Sequence, residues 1–226
     1  LLVNTASKGE INNLPVVTGQ VWEACKNLRK LPASNKACIK RVVLLNYRNV
    51  NDVCKEVNEI IKEHEEDKQG GGNSDNNMAL LGGNEFEDDD FFYNTSMSDL
   101  EYQRCKASIP LFKLIVDTYK CTVKTLNSLK CKDQNGSNPL LDYIATNSSK
   151  MQDMTNEMGV VLYPPQVLNN MRLGMGELAN TCTSYLENLL ALVHLELDTT
   201  NADNNLNNNK QIIEQLLETS TSLLNR

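Results

Sequence analysis

An all-α fold is what this sequence predicts: long antiparallel helices in one or two bundles, interrupted by a disordered acidic connector. Three observations carry that reading. Apolar residues recur at alternating steps of three and four along several stretches, the spacing that lines one face of a helix. Aromatic residues make up only 5% of the 226 positions, so Leu, Val and Ile must do most of the packing, as suits helices laid side by side. No stretch shows the strict apolar-polar alternation of a half-buried strand.

The elements follow in order. A first helix is expected over about Thr18 to Leu28, with Val21, Trp22 and Cys25 on one face and Pro32 just beyond its end. As the chain's single tryptophan, Trp22 is expected to anchor a core. A second helix is expected to start near Ser34 or Asn35, either of which can cap free amides. Its stripe is Val43, Tyr47, Val50, Cys54, Val57 and Ile61. The run Glu63, Glu65, Glu66, Asp67 suits the negative end of the helix dipole poorly, so fraying is expected near Glu66.

Ser98 and Glu101 have the spacing of a capping box, opening a third helix to about Lys130. Its stripe is Phe112, Ile115, Tyr119, Thr122, Leu126 and Leu129. Pro110 lies inside it and is expected to kink or break it, having no amide to donate. Asn138-Pro139 reads as a cap and first-turn proline for a fourth helix, to about Met158, with Leu141, Ile144, Met151 and Met154 on one side.

Leu162-Tyr163-Pro164-Pro165 should end that helix, and its prolines should open a fifth, reaching about Leu197. Its face runs Met171, Met175, Leu178, Cys182, Tyr185, Leu189, Leu192, and beside it lies a second stripe (Leu186, Leu190, Val193, Leu197). So wide an apolar face predicts the interior of a bundle. Six Asn in residues 201–209 predict a polar loop, and Gln211 to Leu224 a last helix. The division expected is an N-terminal bundle part over 1–135, carrying the acidic loop 67–97, and a C-terminal bundle part over 136–226.

Charge and composition narrow the function. The net charge is −7, and basic stretches such as Lys36 to Arg41 are interrupted by apolar residues, so nucleic acid is not an expected partner. No apolar run approaches the ~18 residues a membrane span needs. Seven cysteines, odd in number and with no Cys-x-x-Cys, predict reduced and mostly buried thiols in a cytosolic or nuclear protein. His64 and His194 lack a second His or a Cys one turn away, so no metal site and no cofactor is expected. The Gly clusters at 70–72 and 82–83 lack the Lys of a phosphate-binding loop. No enzyme active site is predicted.

The most conspicuous segment is the connector. Residues 63–104 hold 12 acidic residues against 2 basic ones, within Glu85-Phe86-Glu87-Asp88-Asp89-Asp90-Phe91-Phe92-Tyr93 most densely. Its charges repel, and its glycines are costly to order. Asp88, Asp89 and Asp90 lack the ligand spacing of a calcium loop. Phe86, Asp88, Asp89, Asp90, Phe91, Phe92 and Tyr93 are therefore the candidate partner-binding residues: the aromatics would fill apolar pockets while the acids steer toward a basic partner. The alternative is that these aromatics dock on the chain's own bundle. Arg29-Lys30-Leu31 matches a minimal Arg-x-Leu docking pattern, which arises often by chance.

Two further patterns form a pair. Val21-Trp22-Glu23-Ala24-Cys25, followed by Leu31-Pro32 and Asn35, resembles a signature of the cyclin-D-binding protein family (GCIP, or maternal Id-like protein). Met154 to Pro165, ending in Tyr163-Pro164-Pro165, is similar to that family's second signature, and the acidic connector between the second and third helices also resembles this family's. Order and spacing agree over roughly residues 17–197. The resemblance implies an all-helical protein of two bundles, found in cytoplasm and nucleus. It implies a non-enzymatic regulator that restrains cell-cycle progression by binding cyclin D or helix-loop-helix regulators. The competing expectation is a helical-bundle scaffold of cytoskeletal or adhesion type, since fold alone does not settle function.

Overall fold

Helix by helix, the apolar stripes account for the architecture. The structure, a computed structural model, describes residues 14–28, 34–70, 97–130, 139–199 and 204–224. These form six α-helices: α1 (Leu14–Leu28), α2 (Asn35–Gly70), α3 (Asp99–Ser128), α4 (Pro139–Val161), α5 (Leu168–Thr199) and α6 (Asn204–Leu224). No strand occurs among the described residues. Contacts divide the chain into two units, Leu1–Cys38 and Ile39–Arg226.

The first unit holds α1 and the opening turn of α2. α1 begins four residues before the expected Thr18, with Pro15 in its first turn, where a missing amide costs no helix bond. Trp22 does not anchor a core: it is 69% exposed, and Val16 and Val21 are exposed beside it. Ser34 caps α2, accepting a hydrogen bond from the Ala37 amide at 3.1 Å.

The second unit is an up-and-down bundle. Each helix from α2 onward runs antiparallel to the next, as shown by paired contacts. Cys54 lies against the Phe112 carbonyl while Glu65 meets Tyr102. Tyr119 donates to the Ser148 carbonyl while Cys105 meets that of Leu162. α5 packs along α4, α6 and α3, and α6 also packs along α3. The predicted stripes are the core: all six stripe residues of α3 are buried, and in α5 every heptad residue is buried except the half-buried Met175. Burying a Leu- or Phe-sized side chain contributes about 1.5–3 kcal/mol, so these stripes dominate the stability of the bundle.

α2 joins through side chains. Asn46 donates to Ser148 Oγ at 2.9 Å and Ser149 Oγ at 3.1 Å, and Ser148 Oγ donates to the Ala145 carbonyl at 2.9 Å. Here a buried amide finds partners on the facing helix, so its desolvation is compensated. Gly159 lets α4 approach α2 closely: a Cβ there would lie 2.7 Å from Val53 Cγ1.

Four further expectations need correction. α2 does not fray near Glu66 but runs to Gly70, because its last turns are held by α3: Lys68 pairs with Asp99, and His64 stacks on Tyr102 with centroids 4.8 Å apart. Pro110 does not break α3; it sits on the exposed side, between the buried Cys105 and Phe112, and packing holds the helix through the lost bond. Pro164 and Pro165 do not open α5, which starts at Leu168; they form the turn before it, with a cis peptide between them. Nor are residues 201–209 a loop throughout. From Asn204 the tract is helical, because Leu206 is fully buried and the buried Asn209 donates to Ser128 Oγ at 3.4 Å. Burial of Leu206 and the Asn209 hydrogen bond together offset the summed helix penalties of the asparagines, each about 0.7 kcal/mol or less.

One carboxylate ties three segments together. The capping box forms as the sequence predicts: Glu101 Oε2 accepts from the Ser98 amide at 2.9 Å and hydroxyl at 2.7 Å, and Ser98 Oγ accepts from the Glu101 amide. Its other oxygen accepts from the amide of Gln166, at 3.0 Å, in the turn before α5. Gln166 in turn donates through its side chain to the Leu162 carbonyl at 2.8 Å. The Gln166 amide first, then the Ser98 hydroxyl and amide, hold the Glu101 carboxyl down at about 2, from 4.5.

Gly159→Ala collides with the stiff, β-branched Val53 and should destabilise by about 1–3 kcal/mol. By contrast, a Cβ at Gly176 meets nothing within 4 Å, so Gly176→Ala should stabilise by about 0.5–1 kcal/mol through helix propensity. Urea unfolding of the two variants checks both signs. For Glu101, the folded pKa lies below the unfolded one, so its stabilisation is present above about 4.5 and is lost as pH falls toward about 2. Glu101→Ala should destabilise at neutral pH by on the order of 1–2 kcal/mol, and should flatten that part of the acid-unfolding profile.

Candidate protein-binding surfaces

The candidate residues Phe86, Asp88, Asp89, Asp90, Phe91, Phe92 and Tyr93 lie outside the described residues, as do Arg29, Lys30 and Leu31. What the structure describes is the collar from which residues 71–96 depart and to which they return. There the last turns of α2 meet the first turns of α3. Glu65 accepts from the Tyr102 hydroxyl and pairs with Lys106 at 3.2 Å; Lys106 also lies 5.1 Å from the Tyr102 ring centroid. The Tyr102 hydroxyl first, then Lys106, lowers the Glu65 pKa; Lys68, hydrogen-bonded to Asp99, lowers that of Asp99. These pairs are solvent-exposed, so each contributes little; together they bring the two ends of the connector side by side.

Near the same end of the bundle, Tyr163 stands in the α4–α5 turn, 47% exposed. Partial burial first, then the charges of Glu56, Glu63 and Glu59 on α2, raises the pKa of its phenol. Tyr163 thus marks an acidic face.

A groove of different character opens between α3, α5 and the end of α6. It encloses about 570 Å³. Its floor is apolar, with Leu111 and Met171 buried and Met175 half-buried; its outer edge includes the exposed Leu168 and Leu224. Arg104 of α3 and Arg172 of α5 line it, and no carboxylate does. Neither arginine has an ion-pair partner among the described residues. A second, smaller groove between α2 and α3, about 290 Å³, carries Lys55, Lys113 and Lys120, but two of these lysines are already paired, with Asp52 and Asp117.

Sequence reasoning missed the larger groove. Met171 and Met175 were legible as stripe residues, but Arg104 and Arg172 stand 68 positions apart on separate helices. Only the parallel packing of α3 and α5 brings them to one cleft. A weak signal existed in the exposed Leu168, an apolar residue off the main stripe of α5 that lines the groove.

Burial pushes the thiols of Cys121 and Cys182 up to about 11, away from the thiolate form a nucleophile needs. Among the described residues, no group of three or more His, Cys, Asp or Glu side chains converges as metal ligands would, and no helix is long and apolar enough to cross a membrane. His64 is packed on Tyr102, and His194 is exposed near the end of α5.

Comparison with known proteins bears on the N-terminal part of the chain. No curated protein matches it. Residues 2–63 match the family model described as Grap2 and cyclin-D-interacting, N-terminal. That span takes in α1 and most of α2, including Val21-Trp22-Glu23-Ala24-Cys25 and Asn35; the Tyr163-Pro164-Pro165 pattern lies beyond it. The match, confined to residues 2–63, supports a likeness to the cyclin-D-binding protein family over that part of the chain.

Proposed function

We propose that this chain is a non-enzymatic regulatory binding protein that restrains cell-cycle progression by holding cyclin D or a helix-loop-helix regulator. The observation that carries the reading is the family match over residues 2–63. Its physical support is a helical bundle, an acidic and aromatic connector whose flanking helices meet at one collar, and apolar surface near that end. In this reading Phe86, Phe91, Phe92 and Tyr93 are anchors, and Asp88, Asp89 and Asp90 steer association toward a basic surface, which acts chiefly on the rate of encounter. Such a protein works where cyclins do, in cytoplasm and nucleus.

The test is retention of purified cyclin D, and separately of a helix-loop-helix regulator, on the immobilised chain. A stoichiometric complex with one of them is expected, with association slowing steeply as salt rises. Removing residues 70–95 should abolish it while helicity and melting stay unchanged. Retention of neither protein overturns the reading, and co-sedimentation with actin in its place would favour the scaffold.

A further inference from the structure

We infer that the groove between α3, α5 and the end of α6 is a docking site for an amphipathic helix of a partner protein, one whose apolar stripe is flanked by acidic residues. The inference rests on the reading of this chain as a protein-binding module and adds a place and a recognition chemistry to it.

The shape comes from the bundle itself. α6 lies in the furrow between α3 and α5, antiparallel to both, with Leu206 and Ile213 buried in it and Ser220 hydrogen-bonded to Thr183. That furrow is a seat for a helix. Leu223 and Leu224 line the groove where α6 ends. Along α5 the lining runs from Leu168 to Ala179, which at 1.5 Å per residue is roughly 16 Å, or about three helical turns. An incoming helix would therefore meet the same two walls that α6 does.

The floor suits an apolar stripe. Methionines adapt their shape to what is laid against them, and Met171 and Met175 lie one turn apart on α5. Gly176, between Met175 and the buried Ala179, leaves open space where a side chain would stand.

The rim decides the charge of the occupant. In a chain of net charge −7, this groove carries two arginines and no lining carboxylate. An acidic flank on the incoming helix would be drawn to the two guanidiniums, Arg104 having only the Glu101 charge one turn away on its own helix, and a basic flank would be repelled. Helix-in-groove recognition of this kind takes affinity from the apolar stripe and choice of partner from the flanking charges.

The probe is a fluorescently labelled helical peptide of about five turns, with one Leu stripe flanked by Glu, and a twin with Lys in place of every Glu. Anisotropy should show saturable binding of the Glu peptide to the full chain and little of the Lys peptide. Reversing both arginines (Arg104→Glu with Arg172→Glu) should weaken the Glu peptide by about tenfold or more and admit the Lys peptide. Gly176→Leu, which fills the groove from a position with room for a side chain, should abolish binding while the circular-dichroism spectrum and melting are retained.

Equal binding of the two peptides, or binding unaffected by the arginine reversal, overturns the inference. So does a large gain in affinity when residues 84–95 are removed, which would make the chain's own acidic segment the occupant. A dimer in sedimentation that Met175→Glu dissociates would make the occupant a second copy, and also overturns it. Cyclin D retention does not enter this measurement, so the inference and the function proposed above can each fail alone.

Discussion

The carboxylate of Glu101 is the contact on which the geometry of this bundle turns. One oxygen closes the capping box of α3, and the other receives the Gln166 amide, 65 residues away in the turn before α5. A charged acceptor shared among three donors is stronger than its neutral counterpart. It does two things at once: it decides where α3 begins, and it binds the α4–α5 turn to that beginning. Gln166 extends the clasp by spending its side-chain amide on the Leu162 carbonyl. The open ends of α3 and α5, and hence the walls of the groove, are positioned by this clasp.

Below it the bundle is held mainly by burial, with polar contacts selecting register. The stripe of α3 is inaccessible along its length, and Tyr119 spends its hydroxyl on the Ser148 carbonyl. Asn46 reaches the same turn of α4 from α2. Apolar stripes alone would let two helices slide by a turn; an amide that must find its partners in a dry interior does not tolerate that shift. Gly159 adds a steric condition, admitting Val53 where any Cβ would collide.

Function on such a scaffold belongs to its surfaces. The collar where α2 meets α3 presents the ends of the acidic connector, Tyr163 marks a face shadowed by three glutamates, and the α3–α5 groove is lined by Arg104 and Arg172. A surface with separate acidic and basic features can distinguish partners by charge while drawing affinity from apolar contact. The match over residues 2–63 connects the first unit and most of α2 to proteins described as cyclin-D-interacting.

Helix periodicity was readable from residue order because it is a local property: steps of three and four placed Val43, Phe112, Leu141 and Leu178 on buried faces before any packing was known. The capping box at Ser98 and Glu101 was equally local. What residue order misjudged depended on distant neighbours. The asparagine tract is helical from Asn204 because Leu206 finds a core, α2 continues past Glu66 because α3 holds it, and Trp22 stands exposed although its helix is amphipathic. The second acceptor role of Glu101 and the meeting of Arg104 with Arg172 are also tertiary facts. Each joins residues more than sixty positions apart, and spacing along a chain says nothing about which ends of two helices will lie together.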